Sequence, residues 1–148
     1  MQQIYICGYS LRLSGSNTPY ELSQNLHNKV NMVKENSSRF PNKEFDVPNF
    51  GTLKQDISML DNTFFGINGN QTEKIDPQSY LLLETSVETI IDSGLNIKDL
   101  QNTETGVYIG ACFSDMNSLN NDNIDEISGY EVTGCSTSMF SNRISHFF

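Results

Sequence analysis

The chain has no tryptophan, four prolines and three cysteines in 148 residues. Cys7, Cys112 and Cys135 lie far apart, with no Cys-x-x-Cys pair and no cysteine–histidine zinc spacing. Neither a disulfide framework nor a structural zinc site is therefore encoded. An odd number of scattered thiols suits a reducing compartment, and a cytoplasmic location is expected. Positive charge is also scarce: 9 Lys and Arg stand against 18 Asp and Glu, for a net charge of −9. That balance repels a phosphate backbone, and the basic residues form no stripe, which argues against nucleic-acid binding. No apolar run reaches membrane-spanning length, so no membrane role is expected. Residues 1–7 lack the basic and long apolar regions of a secretory signal. The glycosylation patterns at Asn36-Ser37-Ser38 and Asn70-Gln71-Thr72 accordingly read as chance matches.

What is present suffices for a core. Nine Phe and six Tyr are too many for a disordered chain, and the length suits one domain over residues 1–148. Residues 4–7 form a short apolar run closed by Gly8, the pattern of a buried strand followed by a turn. Thr18-Pro19-Tyr20-Glu21 reads as a helix start, with Thr18 as cap, Pro19 at the first position and Glu21 as its capping-box partner. Leu22, Leu26 and Val30 then follow as one apolar stripe. Residues 34–56 are polar, hold Pro41, Pro48 and Gly51, and are expected to form an irregular connection that wraps another part of the fold. Met59, Leu60, Phe64 and Phe65 form an apolar packing anchor.

The strongest local signal is Asp76-Pro77-Gln78-Ser79-Tyr80-Leu81-Leu82-Leu83-Glu84. Asp76 is a good cap, Pro77 a good first residue, and Gly94 marks the stop. Three consecutive leucines predict a helix buried on several sides. Gly106-Val107-Tyr108-Ile109-Gly110 predicts a second strand, residues 115–126 a polar surface loop, and residues 136–148 a helix through Met139, Phe140, Ile144 and Phe147. The alternation is that of an α/β fold.

These blocks resemble a known family. Phe65-Gly66, Ile75-Asp76-Pro77-Gln78, Leu81-Leu82-Leu83-Glu84 and Ile91-Asp92-Ser93-Gly94 look like the corresponding stretch of β-ketoacyl synthases. Thr105-Gly106-Val107-Tyr108-Ile109-Gly110, Thr133-Gly134-Cys135 and Asn142-Arg143-Ile144-Ser145 resemble its continuation towards the nucleophile. The likeness spans nearly the whole chain. Near the start it is similar to the animal multifunctional fatty acid synthase more than to stand-alone bacterial enzymes, which makes Met1 a natural start. There are departures: Tyr80 stands where the family usually has arginine, the tryptophan of the first helix is missing, Ile75 replaces a methionine and Ser141 an alanine.

The resemblance implies the N-terminal portion of a thiolase-like α/β/α/β/α layered fold, incomplete here. It also implies a parent that condenses an acyl thioester with malonyl-carrier protein in fatty acid biosynthesis. The expected partners are an acyl carrier protein domain and acyl and malonyl thioesters, with a homodimer as the assembly. No metal or organic cofactor is implied for this segment, since phosphopantetheine is carried by the carrier protein. The alternative is a divergent, non-catalytic paralogue serving as a scaffold or interaction module.

No catalytic residue is assigned within the chain. Gly134-Cys135-Ser136-Thr137-Ser138 superficially looks like the run around the family's nucleophile, but Asn142-Arg143-Ile144-Ser145 follows Cys135, whereas in the family it precedes the nucleophile. Cys135 is expected to be a structural thiol, although a helix start at this position would favour a thiolate. His27 and His146 have no cysteine or carboxylate at metal spacing, and the family's catalytic histidines lie beyond residue 148. Asp76 and Glu84 read as a helix cap and a packed carboxylate rather than an acid/base pair. Residues 106–110 are no GxGxxG loop. Val132, Thr133, Met139 and Phe140 correspond to the family's acyl-tunnel and dimer border, with Val132 the foremost acyl contact; ordinary core packing is an equal reading. With no catalytic residue assigned in it, the isolated chain is expected to have no condensing activity; Phe147-Phe148 leaves apolar groups in need of cover, so poor solubility or dependence on partner segments is also expected.

Overall fold

The computed structural model describes residues 3–34, 50–54, 56–114, 116 and 129–148, and among these the side chains of Lys34 and Val132 are not described. The chain divides into two compact units, residues 10–56 and residues 1–9 with 57–148.

The smaller unit is built around helix α1 (Pro19–His27). Its start is chemically specified: Thr18 Oγ1 accepts from the Glu21 N–H at 3.2 Å. Glu21 Oε2 in turn accepts from the N–H of Asn17 at 2.7 Å. The returning carboxylate thus caps one residue earlier than an ideal capping box. α1 has no buried residue. The stripe of Leu22, Leu26 and Val30 is therefore corrected: Leu26 and Val30 are exposed, and Val30 lies past the helix, which ends at His27. The packing of this unit runs through polar contacts instead. Asn25 Nδ2 donates to Ser16 Oγ at 2.9 Å and to Gly15 O at 3.1 Å, and Ser16 is fully buried. Strands β1 (Val33–Lys34) and β2 (Phe50–Gly51) pair antiparallel, Val33 with Gly51 and Lys34 with Phe50. This short ladder closes the connection that the sequence marks as irregular; its residues 35–49 and 55 lie outside the described residues, as do nearly all of residues 115–126.

The larger unit centres on α3 (Pro77–Asp92), preceded by the one-turn helix α2 (Gly69–Thr72). Asp76 caps α3, its carboxylate accepting from the Gln78 N–H at 2.8 Å. The C-terminus closes with two bonds, Gly94 N–H to Ile91 O at 3.0 Å and Leu95 N–H to Ile90 O at 3.2 Å. They need Gly94 at φ +80°, a conformation that glycine adopts without a Cβ penalty. A 3₁₀ turn (Ile97–Leu100) follows. Two further helices, α4 (Glu131–Cys135) and α5 (Ser138–Phe147), complete the unit, and α3 packs chiefly on α5. The core comprises Ile75, Tyr80, Leu83, Cys135, Phe140 and Ile144. Only the N-terminal half of α3 contributes fully buried residues, and Ile91 is exposed, so burial on several sides is limited to that half.

Two expected strands are absent among the described residues. Residues 4–7 and 106–110 join no ladder. Residues 4–7 stand in solvent, Ile4 at 94% exposure; in the second stretch Tyr108 is 93% exposed, while Val107 and Ile109 are half-buried. The apolar β-branched pattern is there, but a strand exists only with a partner to take its backbone hydrogen bonds. Residue 9 is tied to α3 instead, its N–H donating to Asp92 Oδ2 at 3.0 Å. The apolar anchor is selective as well: Met59 is exposed, whereas Phe64 and Phe65 stack edge-on at 4.9 Å.

Candidate functional site

α5 presents two stripes. Phe140 and Ile144, one turn apart, are buried in the core. The adjacent stripe, Met139, Arg143, His146 and Phe147, lines a pocket of about 350 Å³. Rotation by about 100° per residue separates Met139 from Phe140 in this way. Opposite α5 the pocket is bounded by Phe65, Ile67, Gln71 and Leu83, and Thr133 of α4 closes one side. Phe147 meets Phe65 at 5.0 Å and Phe64 at 5.5 Å between ring centroids, and Phe148 packs on Phe147 at 5.0 Å. Aromatic rings thus cover part of the apolar end of the chain.

Of the residues assigned to an acyl contact, Thr133 and Met139 line this pocket, whereas Phe140 is a core residue beneath it. The side chain of Val132 lies outside the described residues. Leu83, Phe65, Arg143 and His146 were not assigned to an acyl contact from the sequence. They come together only because α3, α5 and the turn at residues 62–67 pack together.

Arg143 is the pocket's charged group. Its Nη2 donates to Thr133 O at 3.0 Å, while its Nε is buried without a hydrogen-bond partner. Burial pushes the guanidinium below its ordinary value, opposed by the nearby Tyr80 phenol. Tyr80 is 5% exposed, and its hydroxyl donates to Thr72 O. Burial raises the Tyr80 pKa to about 12; Arg143 opposes the shift, and Asp76 and Cys135 add to it. The residue that replaces the family's usual arginine is therefore a neutral, hydrogen-bonded core phenol rather than an ion-pair partner.

Cys135 is 2% exposed and donates through Sγ to Lys74 O at 3.3 Å. It ends α4 instead of beginning a helix, so the helix terminus beside it carries negative partial charge and gives no help to a thiolate. Asp76 accepts at Oδ2 from Ser114 Oγ at 2.6 Å and, more weakly, from Gln78 Nε2 at 3.4 Å, the bonds of a structural cap. His27 is exposed, with Nδ1 3.0 Å from Ser23 O. Among the described residues no cluster of His, Cys, Asp and Glu could hold a metal ion, and no helix is long and apolar enough to cross a membrane.

The beta-ketoacyl synthase N-terminal domain family matches residues 1–148. The chain belongs to this family. This β-ketoacyl synthase domain is 36% identical over 148 residues to the fatty acid synthase of Anser anser anser, covering 100% of the chain and 42% of that protein. It is 34% identical over 164 residues to the polyketide synthase component of lovastatin nonaketide synthase from Aspergillus terreus, covering 99% of the chain and 5% of that protein. The chain thus spans less than half the length of these relatives. Among solved structures it is similar to the ketosynthase from module 6 of the bacillaene synthase from Bacillus subtilis 168. The TM-score is 0.77 at 26% identity, with 95% of this chain and 23% of that one covered. The ketosynthase fold is seen again in the oxazolomycin ketosynthase domain of Streptomyces albus JA3453, at TM-score 0.83, 22% identity, and 99% and 28% coverage. The thiolase-like α/β class inferred from the motif blocks therefore holds, although the described residues of this chain pair only one two-stranded ladder.

Proposed function

We propose that this domain serves a synthase that condenses an acyl thioester with a malonyl unit on a carrier protein in fatty acid biosynthesis, and that its pocket forms part of the acyl-chain wall. The carrying observation is the apolar surface of Phe65, Leu83, Met139 and Phe147 around a volume of about 350 Å³, at the small end of ligand pockets. Identity to an animal fatty acid synthase over the full chain supports fatty acid chemistry, and similar identity to polyketide synthases makes a polyketide chain the competing substrate class. In the reaction, the acyl carbon is transferred from a thiolate to the carbanion left when malonate loses carbon dioxide; a carbon–carbon bond forms and a carbon–sulfur bond breaks. Cys135, His27 and His146 are not proposed for these steps. The thioester partners carry their own phosphopantetheine, so no cofactor site is assigned to this segment. A cytoplasmic homodimer is the setting in which we place it.

Acyl loading from octanoyl and acetyl thioesters onto the complete synthase tests the wall. Met139→Trp fills the pocket, so octanoyl loading should fall by at least about tenfold while acetyl loading is retained. An unchanged chain-length profile would remove the pocket from the acyl path. The 148-residue chain alone should not condense thioesters, and turnover abolished by Cys135→Ala would reinstate Cys135 as nucleophile. Tyr80 favours a second reading, a non-catalytic scaffold, because it departs from the family at a buried position. A complete protein with no ketoacyl product from any thioester pair would support it.

A further inference from the structure

The pocket's charge is opposite to that of the molecule. The chain carries 18 acidic residues and a net charge of −9, yet among the described residues no Asp or Glu lines the pocket, whereas Arg143 does. Among the described residues Arg143 forms no ion pair with a carboxylate; its Nη2 donates to the Thr133 carbonyl, and Nε has no partner. A half-buried guanidinium without an anion is an unfavourable arrangement that a bound carboxylate corrects. Leu83, Met139 and Phe147 supply an apolar wall beside it.

We propose that this pocket binds a free fatty carboxylate of short to medium length, its head group on Arg143 and its tail along Leu83, Met139 and Phe147. The inference rests on the reading of the pocket as an acyl wall and adds a head-group preference to it. A thioester, being neutral, lacks the charge that Arg143 selects. A bound free acid occupies the wall that an acyl chain needs, so it acts as a competitor of acyl loading.

Titration of the chain with octanoate, and with octan-1-ol as the neutral counterpart, tests this by ligand-observed NMR. Octanoate should bind at least about tenfold more tightly than octanol, the difference expected of a charge-assisted hydrogen bond. Arg143→Gln should bring octanoate down to the affinity of octanol and leave octanol unchanged. Should that variant fail to fold, rising salt should weaken octanoate alone in the unmodified chain. Equal binding of the two ligands, insensitive to salt, would overturn the head-group proposal while leaving the acyl wall intact. No saturable binding of octanoate would also overturn it, and the acyl-loading profile of Met139→Trp would then decide the wall separately.

Discussion

The backbone N–H of Asp76 donates to the carbonyl of Gly134 at 3.0 Å. This bond joins the start of α3 to α4 and holds Thr133 at the pocket's edge. The approach is so close that a Cβ on Gly134 would collide with the Lys74 carbonyl oxygen, a backbone atom that cannot rotate away. Gly134→Ala should therefore destabilise the larger unit by at least about 2 kcal/mol, the range of buried steric strain. Urea denaturation followed by circular dichroism measures it; a loss under about 0.5 kcal/mol would show that the α4 junction relaxes freely.

Asp76 has a second task through its side chain. One oxygen caps α3 and the other accepts from Ser114, all at a residue 2% exposed. Asp76→Ala removes a cap worth about 1 kcal/mol. It also strands a part-buried hydroxyl at a cost of about 1–3 kcal/mol. The expected loss is about 2–4 kcal/mol. Asp76→Asn keeps an oxygen for the cap and should lose less than half of that. Equal losses in the two variants would mean that negative charge, not cap geometry, is what the site needs.

Local chemistry was legible in the sequence and long-range pairing was not. Both ends of α3 follow from Asp76, Pro77 and Gly94, whose effects act within a few residues. The stretches at 4–7 and 106–110 carry a strand pattern, but pairing depends on a neighbour that spacing along the chain does not specify. The stripe of Leu22, Leu26 and Val30 failed because Asn28 and Lys29, the latter at φ 53°, end α1 before its last member. At the site, Met139 and Phe140 are equally apolar neighbours, and only the packing of α5 shows which faces the pocket. Arg143 belonged to a motif used to identify the family, yet nothing in its spacing shows that it would lie half-buried without a carboxylate.

The three thiols differ in environment. Cys7 and Cys112 are exposed, and Cys135 is buried beneath the pocket's edge. Native-state alkylation with iodoacetamide, read by mass spectrometry of peptides, should modify Cys7 and Cys112 and leave Cys135 unmodified until denaturant is added. Preferential labelling of Cys135 in the folded chain would contradict its structural role and reopen it as a nucleophile. Cys135→Ala should cost about 1–2 kcal/mol, as loss of a small buried side chain with one weak hydrogen bond.

Tyr80 makes stability depend on alkaline pH. Burial holds its folded-state pKa near 12, against 10 for an unfolded tyrosine. Between those values the unfolded chain releases the phenolic proton while the folded chain keeps it, so the folded state binds more protons. Stability therefore falls as pH rises. The contribution is intact below about pH 10 and is lost progressively as pH passes through 12; two units correspond to at most about 2–3 kcal/mol. Tyr80→Phe should lower stability at neutral pH by about 1 kcal/mol through loss of the bond to Thr72 O. It should also flatten the decline above pH 10. Denaturation midpoints of both proteins from pH 8 to 11.5 test this. Parallel curves, with no flattening in the variant, would place the alkaline sensitivity elsewhere and show that Tyr80 ionises as freely in the fold as in the unfolded chain.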